Sequence, residues 1–226
     1  MLRKTFVSFI CCLTLAAGSA VGQQTINLFE RNNLADWNFH VFEAGVDHSN
    51  LTVGDVFTFT EDGRLIATGL PYGYLSTKES YKNYKFAFEW RWPAEPTNSG
   101  IFIKITDMPA NSFLPKAIEV QLRHTDAGDM YGFNGRTITD SPERIRNFNH
   151  AALGQFMGVF KIRGAELPPG QWNKMEILVV DTTVVVTVNG RIVNWTTGAE
   201  AIAGQIGFQS EGSPIEFRNA VITVLP

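Results

Sequence analysis

The sequence predicts an all-β sandwich or jelly roll. Three observations carry this expectation. The composition is rich in strand formers, with 17 Phe and 5 Trp beside many Val, Ile and Thr. Apolar residues recur at every second position in several segments, the period of a half-buried strand. Turn signals separate those segments at short intervals, and no window of about 11 residues sustains a 3.6-residue apolar period, so no long helix is expected.

The clearest strand is Lys85-Phe86-Ala87-Phe88-Glu89-Trp90-Arg91-Trp92. Its aromatics fall on one face, and Lys85, Ala87, Glu89 and Arg91 fall on the other. Residues 101–105 read as a second strand and 117–123 as a third. Residues 175–180 and 183–188 read as two more, joined by a turn at Asp181-Thr182. Asn189-Gly190 is a hairpin signal leading into Arg191-Ile192-Val193. Residues 205–209, 215–218 and 220–225 complete the set. Residues 126–170 carry Gly128, Gly132, Gly135, Pro142, Gly154, Gly158 and Pro168-Pro169, and read as an irregular region. A long loop inside a compact domain points to function.

The N-terminus reads as an export signal. Met1-Leu2-Arg3-Lys4 is a short cationic start, residues 5–17 carry no charge, and Gly18-Ser19-Ala20-Val21-Gly22 supplies small residues for cleavage. The expected organisation is a signal peptide over 1–22 and one β-sandwich domain over 23–226, secreted or periplasmic. Both cysteines, Cys11 and Cys12, fall in the leader, so a mature chain starting near Gln23 has no thiol and no disulfide. Stability must then come from core burial, for which roughly 200 residues suffice. The net charge of −3 comes from interspersed acids and bases. No basic patch points to nucleic acid, and no second apolar span points to a transmembrane segment in the mature chain.

The polar faces of the strands suggest a sugar site. Glu89 with Arg91, Glu119 with Gln121 and Arg123, and Glu216 with Arg218 each share a face by the two-residue period. Lying side by side, these faces would make one polar concave surface, with Tyr72, Tyr74, Tyr131 and Phe133 available to stack on a pyranose. A solvated outer sheet face is the alternative. An ordinary glycosidase needs two carboxylates, about 5–5.5 Å apart for retention or about 6.5–9.5 Å for inversion. The strand that would carry them reads Glu119-Val120-Gln121-Leu122-Arg123-His124, with one acid only; Glu89 is the expected partner from another strand. His124, with Asp126 and Asp129 nearby, is a candidate to bind a divalent metal together with Glu119. Asn50-Leu51-Thr52 and Asn194-Trp195-Thr196 match the glycosylation sequon. Ser99 has no Gly-x-Ser-x-Gly elbow, which argues against a serine hydrolase.

The ordered motifs resemble a known family. Leu28-Phe29, Leu34 and Asp36-Trp37 open the chain; Gly73-Tyr74-Leu75-Ser76-Thr77 leads to Glu89-Trp90-Arg91. Asn98-Ser99-Gly100-Ile101-Phe102, Glu119-Val120-Gln121, Tyr131-Gly132, Gly170-Gln171-Trp172-Asn173 and Asn189-Gly190 follow. Gly204-Gln205-Ile206-Gly207-Phe208-Gln209 and Glu216-Phe217-Arg218-Asn219 close it. This order resembles the 3-keto-disaccharide hydrolase family over nearly all the mature chain. The resemblance implies a concanavalin A-like jelly-roll β-sandwich acting on glycosides oxidised to a ketone at C3, by hydrolysis or elimination, with a divalent metal ion as a candidate cofactor. By motif position it implies Glu119, Glu89 and Arg91 as catalytic candidates. Asn98, Ser99, Gln121, Gln209 and Arg218 follow as substrate-binding candidates, joined by Tyr131. In that chemistry Glu119 is the base that takes the C2 proton, and Arg91, Arg218 or a cation holds the enolate oxygen. A non-catalytic carbohydrate-binding sandwich and a structural envelope protein are the competing readings.

Overall fold

The computed structural model describes residues 23–41, 47–110, 112, 114–151 and 153–226. The expected leader and both cysteines lie outside them. Among the described residues the fold is two stacked antiparallel sheets of eight strands each, as expected of a jelly-roll sandwich.

The first sheet is centred on β6 (Tyr84–Arg91) and β16 (Ile215–Val224). Beyond β6 it continues through β12 (Asn173–Val180), β13 (Thr183–Val188) and β14 (Arg191–Thr196). Beyond β16 come β4 (Leu65–Ala67) and β3 (Phe57–Phe59), while β1 (Thr25–Asn27) pairs with the far half of β16. The turn Asn189-Gly190 closes β13 onto β14 with positive φ at both residues, +48° and +77°, the geometry that matches strand twist. Residues 215–225, expected as two strands, form the one strand β16, which shifts register between Arg218 and Val221, where Asn219 takes φ +53°.

The second sheet carries the candidate site. Its central strands are β8 (Lys116–Gln121), β7 (Gly100–Asp107) and β15 (Gln205–Ser210). On one side lie β5 (Gly73–Thr77) and β2 (Trp37–Val41). On the other lie β9 (Met130–Gly132), β11 (Gly154–Val159) and β10 (Ile145–His150). The region 126–170 is therefore not one irregular loop: it supplies three strands, two of them an edge hairpin.

Alternation decides what the sheets bury. Phe86, Phe88, Trp90 and Trp92 all point into the space between the sheets, as their spacing predicts. They meet Phe208 of β15, whose ring lies 5.9 Å from Phe86 and 5.0 Å from Phe217. Because Phe208 points inward, its neighbour Gln209 points outward. Likewise Ile118 and Val120 face the core, and Glu119 between them faces away from it.

Candidate active site

The site lies on the outer face of the second sheet. Glu119 stands opposite Phe102 of β7 on one side and Tyr131 of β9 on the other. Gln121 stands opposite Gly100. Gln209 continues the row on β15, and the chain then passes through Ser210 to Glu211, which bridges Asn98. The edge hairpin β10–β11 brings Phe148, Leu153 and Phe156 against this row. The result is a cavity of about 200 Å³ lined by the polar side chains of Asn98, Glu119, Gln121, Arg123, Gln209 and Glu211 and by the apolar and aromatic side chains of Leu114, Tyr131, Phe133, Phe148, Leu153 and Phe156.

Gly100 makes the cavity possible. A β-carbon there would lie 2.2 Å from Oε1 of Glu119 and 2.9 Å from Oε1 of Gln209. The Asn-Ser-Gly motif thus leaves room for two polar side chains to meet over a bare backbone.

Glu119 is only 3% exposed. Burial holds its carboxyl well above the ordinary carboxylate range, and the negative charge of Glu211 adds to the effect. Burial also raises Glu211, against the lowering influence of the Asn98 and Gln209 amides and of Arg123. Gln209 lies near enough to Glu211 to favour its charged form, yet neither polar atom of its buried amide completes a well-formed hydrogen bond. Asn98 Oδ1 is likewise buried without a partner. Unpartnered buried amides are costly in an idle surface, and here they point to a polar ligand. Gln121 is held differently: its Oε1 accepts from the backbone N–H of Leu122 and Arg123, at 2.9 and 2.7 Å, which fixes its rotamer.

Residues 24–223 match the 3-keto-alpha-glucoside-1,2-lyase-like domain. The chain belongs to that family. No curated protein matches the chain at the sequence level. Among solved structures, the fold is similar to a candidate glycosyl hydrolase from Parabacteroides distasonis, at 21% identity and TM-score 0.59, covering 89% of this chain and all of that one. It is also similar to the Bacillus licheniformis β-glucanase, at 13% identity and TM-score 0.52 over 92% of this chain and 100% of that one. The Bacillus subtilis carbohydrate-binding module CBM66 shares the fold at 10% identity and TM-score 0.52, over 82% of this chain and 93% of that one. These likenesses establish the sandwich. Membership of the keto-glucoside family gives the fold a carbohydrate-related role.

Within this family member, five of the expected site residues come together: Glu119, Gln121, Asn98, Gln209 and Tyr131 all line the cavity. Ser99 does not. Its side chain is fully buried, and its hydroxyl donates to the Gln209 carbonyl at 2.9 Å, tying β7 to β15 from beneath. Ser99 therefore supports Gln209 and does not line the cavity.

Glu89, Arg91 and Arg218 stand elsewhere. They lie on the outer face of the first sheet, across the whole core from Glu119. Arg218 donates to Glu89 from Nε at 2.7 Å, with Nη2 at 2.6 Å from the same carboxylate. Arg91 pairs with Glu216 at 2.7 Å. Both guanidinium groups rest on Trp172, Arg218 at 4.0 Å and Arg91 at 4.7 Å from its ring centroid. Period-two alternation correctly put these residues on one face of their own strands; the expectation that this face joins that of Glu119 is wrong, because β6 and β8 belong to different sheets.

The side chains singled out for a metal do not gather. His124 turns away from Glu119, its Nδ1 lying 3.7 Å from Glu166. Asp129 accepts from the Lys161 backbone N–H at 2.7 Å, and Asp126 lies 3.6 Å from the Lys161 ammonium. Among the described residues no three His, Cys, Asp or Glu side chains gather. The oxygens in the cavity that could reach a hard cation are the carboxylates of Glu119 and Glu211 and the amide oxygens of Asn98 and Gln209. Asn194 of the second sequon is buried, and its amide donates to the Gly128 and Val159 carbonyls at 2.8 and 2.7 Å.

Sequence reasoning missed Glu211. The signal was present: Glu211 is two residues past Gln209, so the strand period places it on the same side. It supplies the second carboxyl that Glu89 was expected to provide.

Proposed function

We propose that this protein cleaves the glycosidic bond of glycosides oxidised to a ketone at C3. The reaction is removal of the C2 proton and β-elimination of the aglycone, with water re-addition completing a net hydrolysis. The observation that supports this reading best is Glu119, a buried carboxyl on the cavity wall whose proton affinity is raised. A ketone at C3 makes the C2 proton acidic, and a carboxylate of raised pKa is a stronger base for it. The enolate oxygen needs a donor, and the buried Gln209 amide nitrogen, which lacks a well-formed partner, can supply one. Arg91 and Arg218 are too far removed to serve.

The test is aglycone release from a chemically prepared 3-keto-glucoside. Glu119→Gln should lower turnover by about 10²–10⁴-fold with the fold intact. The unoxidised glucoside should be inert, and deuterium at C2 should slow the reaction. Efficient cleavage of the unoxidised glucoside would instead indicate direct two-carboxylate hydrolysis. The aromatic wall of Phe133, Phe148 and Phe156 favours a second reading, a non-catalytic carbohydrate-binding module. Saturable sugar binding without aglycone release would establish it.

We further propose that the chain is exported and its leader removed near Gln23, two residues before β1 begins at Thr25. Mass spectrometry of protein from the native envelope checks this, and an intact Met1 end would overturn it.

A further inference from the structure

We propose that Glu211 is the second catalytic residue of this site, the proton donor to the departing glycosidic oxygen, working opposite Glu119 at C2. The inference rests on the 3-keto-glycoside reading. It starts from the cavity itself. Among the lining residues the titratable groups are Glu119, Arg123, Tyr131 and Glu211. Arg123 cannot release a proton in a protein. Tyr131 is pushed up by burial, then by the charges of Asp129, Glu119 and Asp126, so its phenol is a far weaker acid than either carboxyl. Proton exchange with a substrate is left to the two carboxyls.

Both carboxyls are raised by burial, and each has its own set of neighbours; the step below runs from the form in which their shared proton rests on Glu211. Glu119 faces Gly100, Phe102 and Tyr131 and receives no charged partner. Glu211 faces Asn98, Gln209 and Arg123, and Arg123 is itself 3.7 Å from Asp126. Two acids in one small cavity resist ionising together, so they hold a proton between them. The unpartnered oxygens of Asn98 and Gln209 beside them show that the arrangement is not closed on itself and awaits a polar ligand.

The step balances with one proton on the pair. The Glu119 carboxylate takes the C2 proton, the C2–H electron pair is held as the enolate of the C3 ketone, and collapse of that enolate forms the C1–C2 double bond. The C1–O bond breaks, and its oxygen takes the proton of the Glu211 carboxyl, releasing the aglycone as an alcohol. In re-addition the Glu211 carboxylate accepts a proton from water as that oxygen bonds to C1, and Glu119 returns its proton to C2. Both carboxyls end as they began, and the sum is hydrolysis.

The experiment compares Glu211→Gln with the full wild-type chain on two 3-keto-glucosides, one with a methyl and one with a 4-nitrophenyl aglycone. A good leaving group needs no proton. The variant should therefore lose about 10²–10⁴-fold on the methyl substrate and less than about tenfold on the nitrophenyl one. It should still exchange the C2 hydrogen in D₂O. Its methyl-substrate pH profile should lose the fall in rate at high pH that marks a protonated acid. By carbon NMR of labelled glutamate, Glu119 should titrate at lower pH once the Glu211 charge is gone. Equal losses on both aglycones, or an unchanged methyl rate with Glu119 titration unmoved, would overturn the role of Glu211 alone. Wild-type inactivity on both keto-glucosides would overturn the parent reading and this inference with it.

Discussion

Gly100 on β7 leaves the space that Glu119 on β8 fills: a β-carbon at position 100 would stand 2.2 Å from Oε1 of Glu119 and 2.8 Å from its Cγ. Both carboxylate and backbone are hemmed in, because Glu119 is flanked by Phe102 and Tyr131 on the neighbouring strands.

Gly100→Ala should therefore displace Glu119 and Gln209 and damage activity more than stability. Turnover on a 3-keto-glucoside should fall by about 10²-fold, the scale of a misplacement near 1 Å. Thermal unfolding alongside kinetics checks it; full activity in a folded Gly100→Ala variant would show that the cavity walls are free to shift.

Glu119 should make stability depend on pH in a defined direction. Its folded carboxyl binds a proton more tightly than the ordinary glutamate value of 4.5. Between that value and its folded value, the folded state holds more protons than the unfolded state, so its contribution to stability falls as pH rises. Glu119→Gln removes the burden. The variant should match wild type in stability below about pH 4.5 and exceed it at neutral pH. Urea unfolding of both chains across this range measures the difference, and a variant less stable at neutral pH would contradict it.

The pair Arg218–Glu89 should be dispensable for chemistry. It is half-exposed on the outer face of the first sheet. Glu89→Gln should cost about 1 kcal/mol or less and leave turnover on a 3-keto-glucoside unchanged. A large loss of turnover with an intact fold would return Glu89 to the site.

Trp90 should be a stability residue. It is fully buried against Phe88, with ring centroids 6.0 Å apart. Trp90→Ala should destabilise the fold by about 3–5 kcal/mol through lost burial and the cavity left behind. Denaturant unfolding reads this directly, and a cost below about 1 kcal/mol would mean that the core collapses to fill the space.

Legibility in the sequence followed burial. The alternation of β6, β12 and β13 was readable because one face of each is packed against the opposing sheet. The hairpin β10–β11 was missed because it stands at a sheet edge, with Arg146, Asn147, Asn149 and His150 all exposed, so no apolar face marks it. Strands β1, β3, β4 and β9 are three residues each, too short to display a period. In the site, Asn98, Glu119, Gln121, Tyr131 and Gln209 were legible from motif order. Ser99 was misread because a motif does not say which of its side chains turns inward.

By itself the sequence determined the sandwich, the family and the inward direction of the β6 aromatics, and it singled out Glu119. These follow from local rules: side chains alternate along a strand, and burial rewards the apolar set. Only the tertiary structure decided that Glu211, and not Glu89, faces Glu119. Alternation says on which side of its own strand a residue lies, but not to which sheet that strand belongs. That choice is made by pairing between distant segments, β6 with β12 and β16 in one sheet and β8 with β7 and β9 in the other. It set Glu89 and Glu119 on opposite outer faces with the hydrophobic core between them.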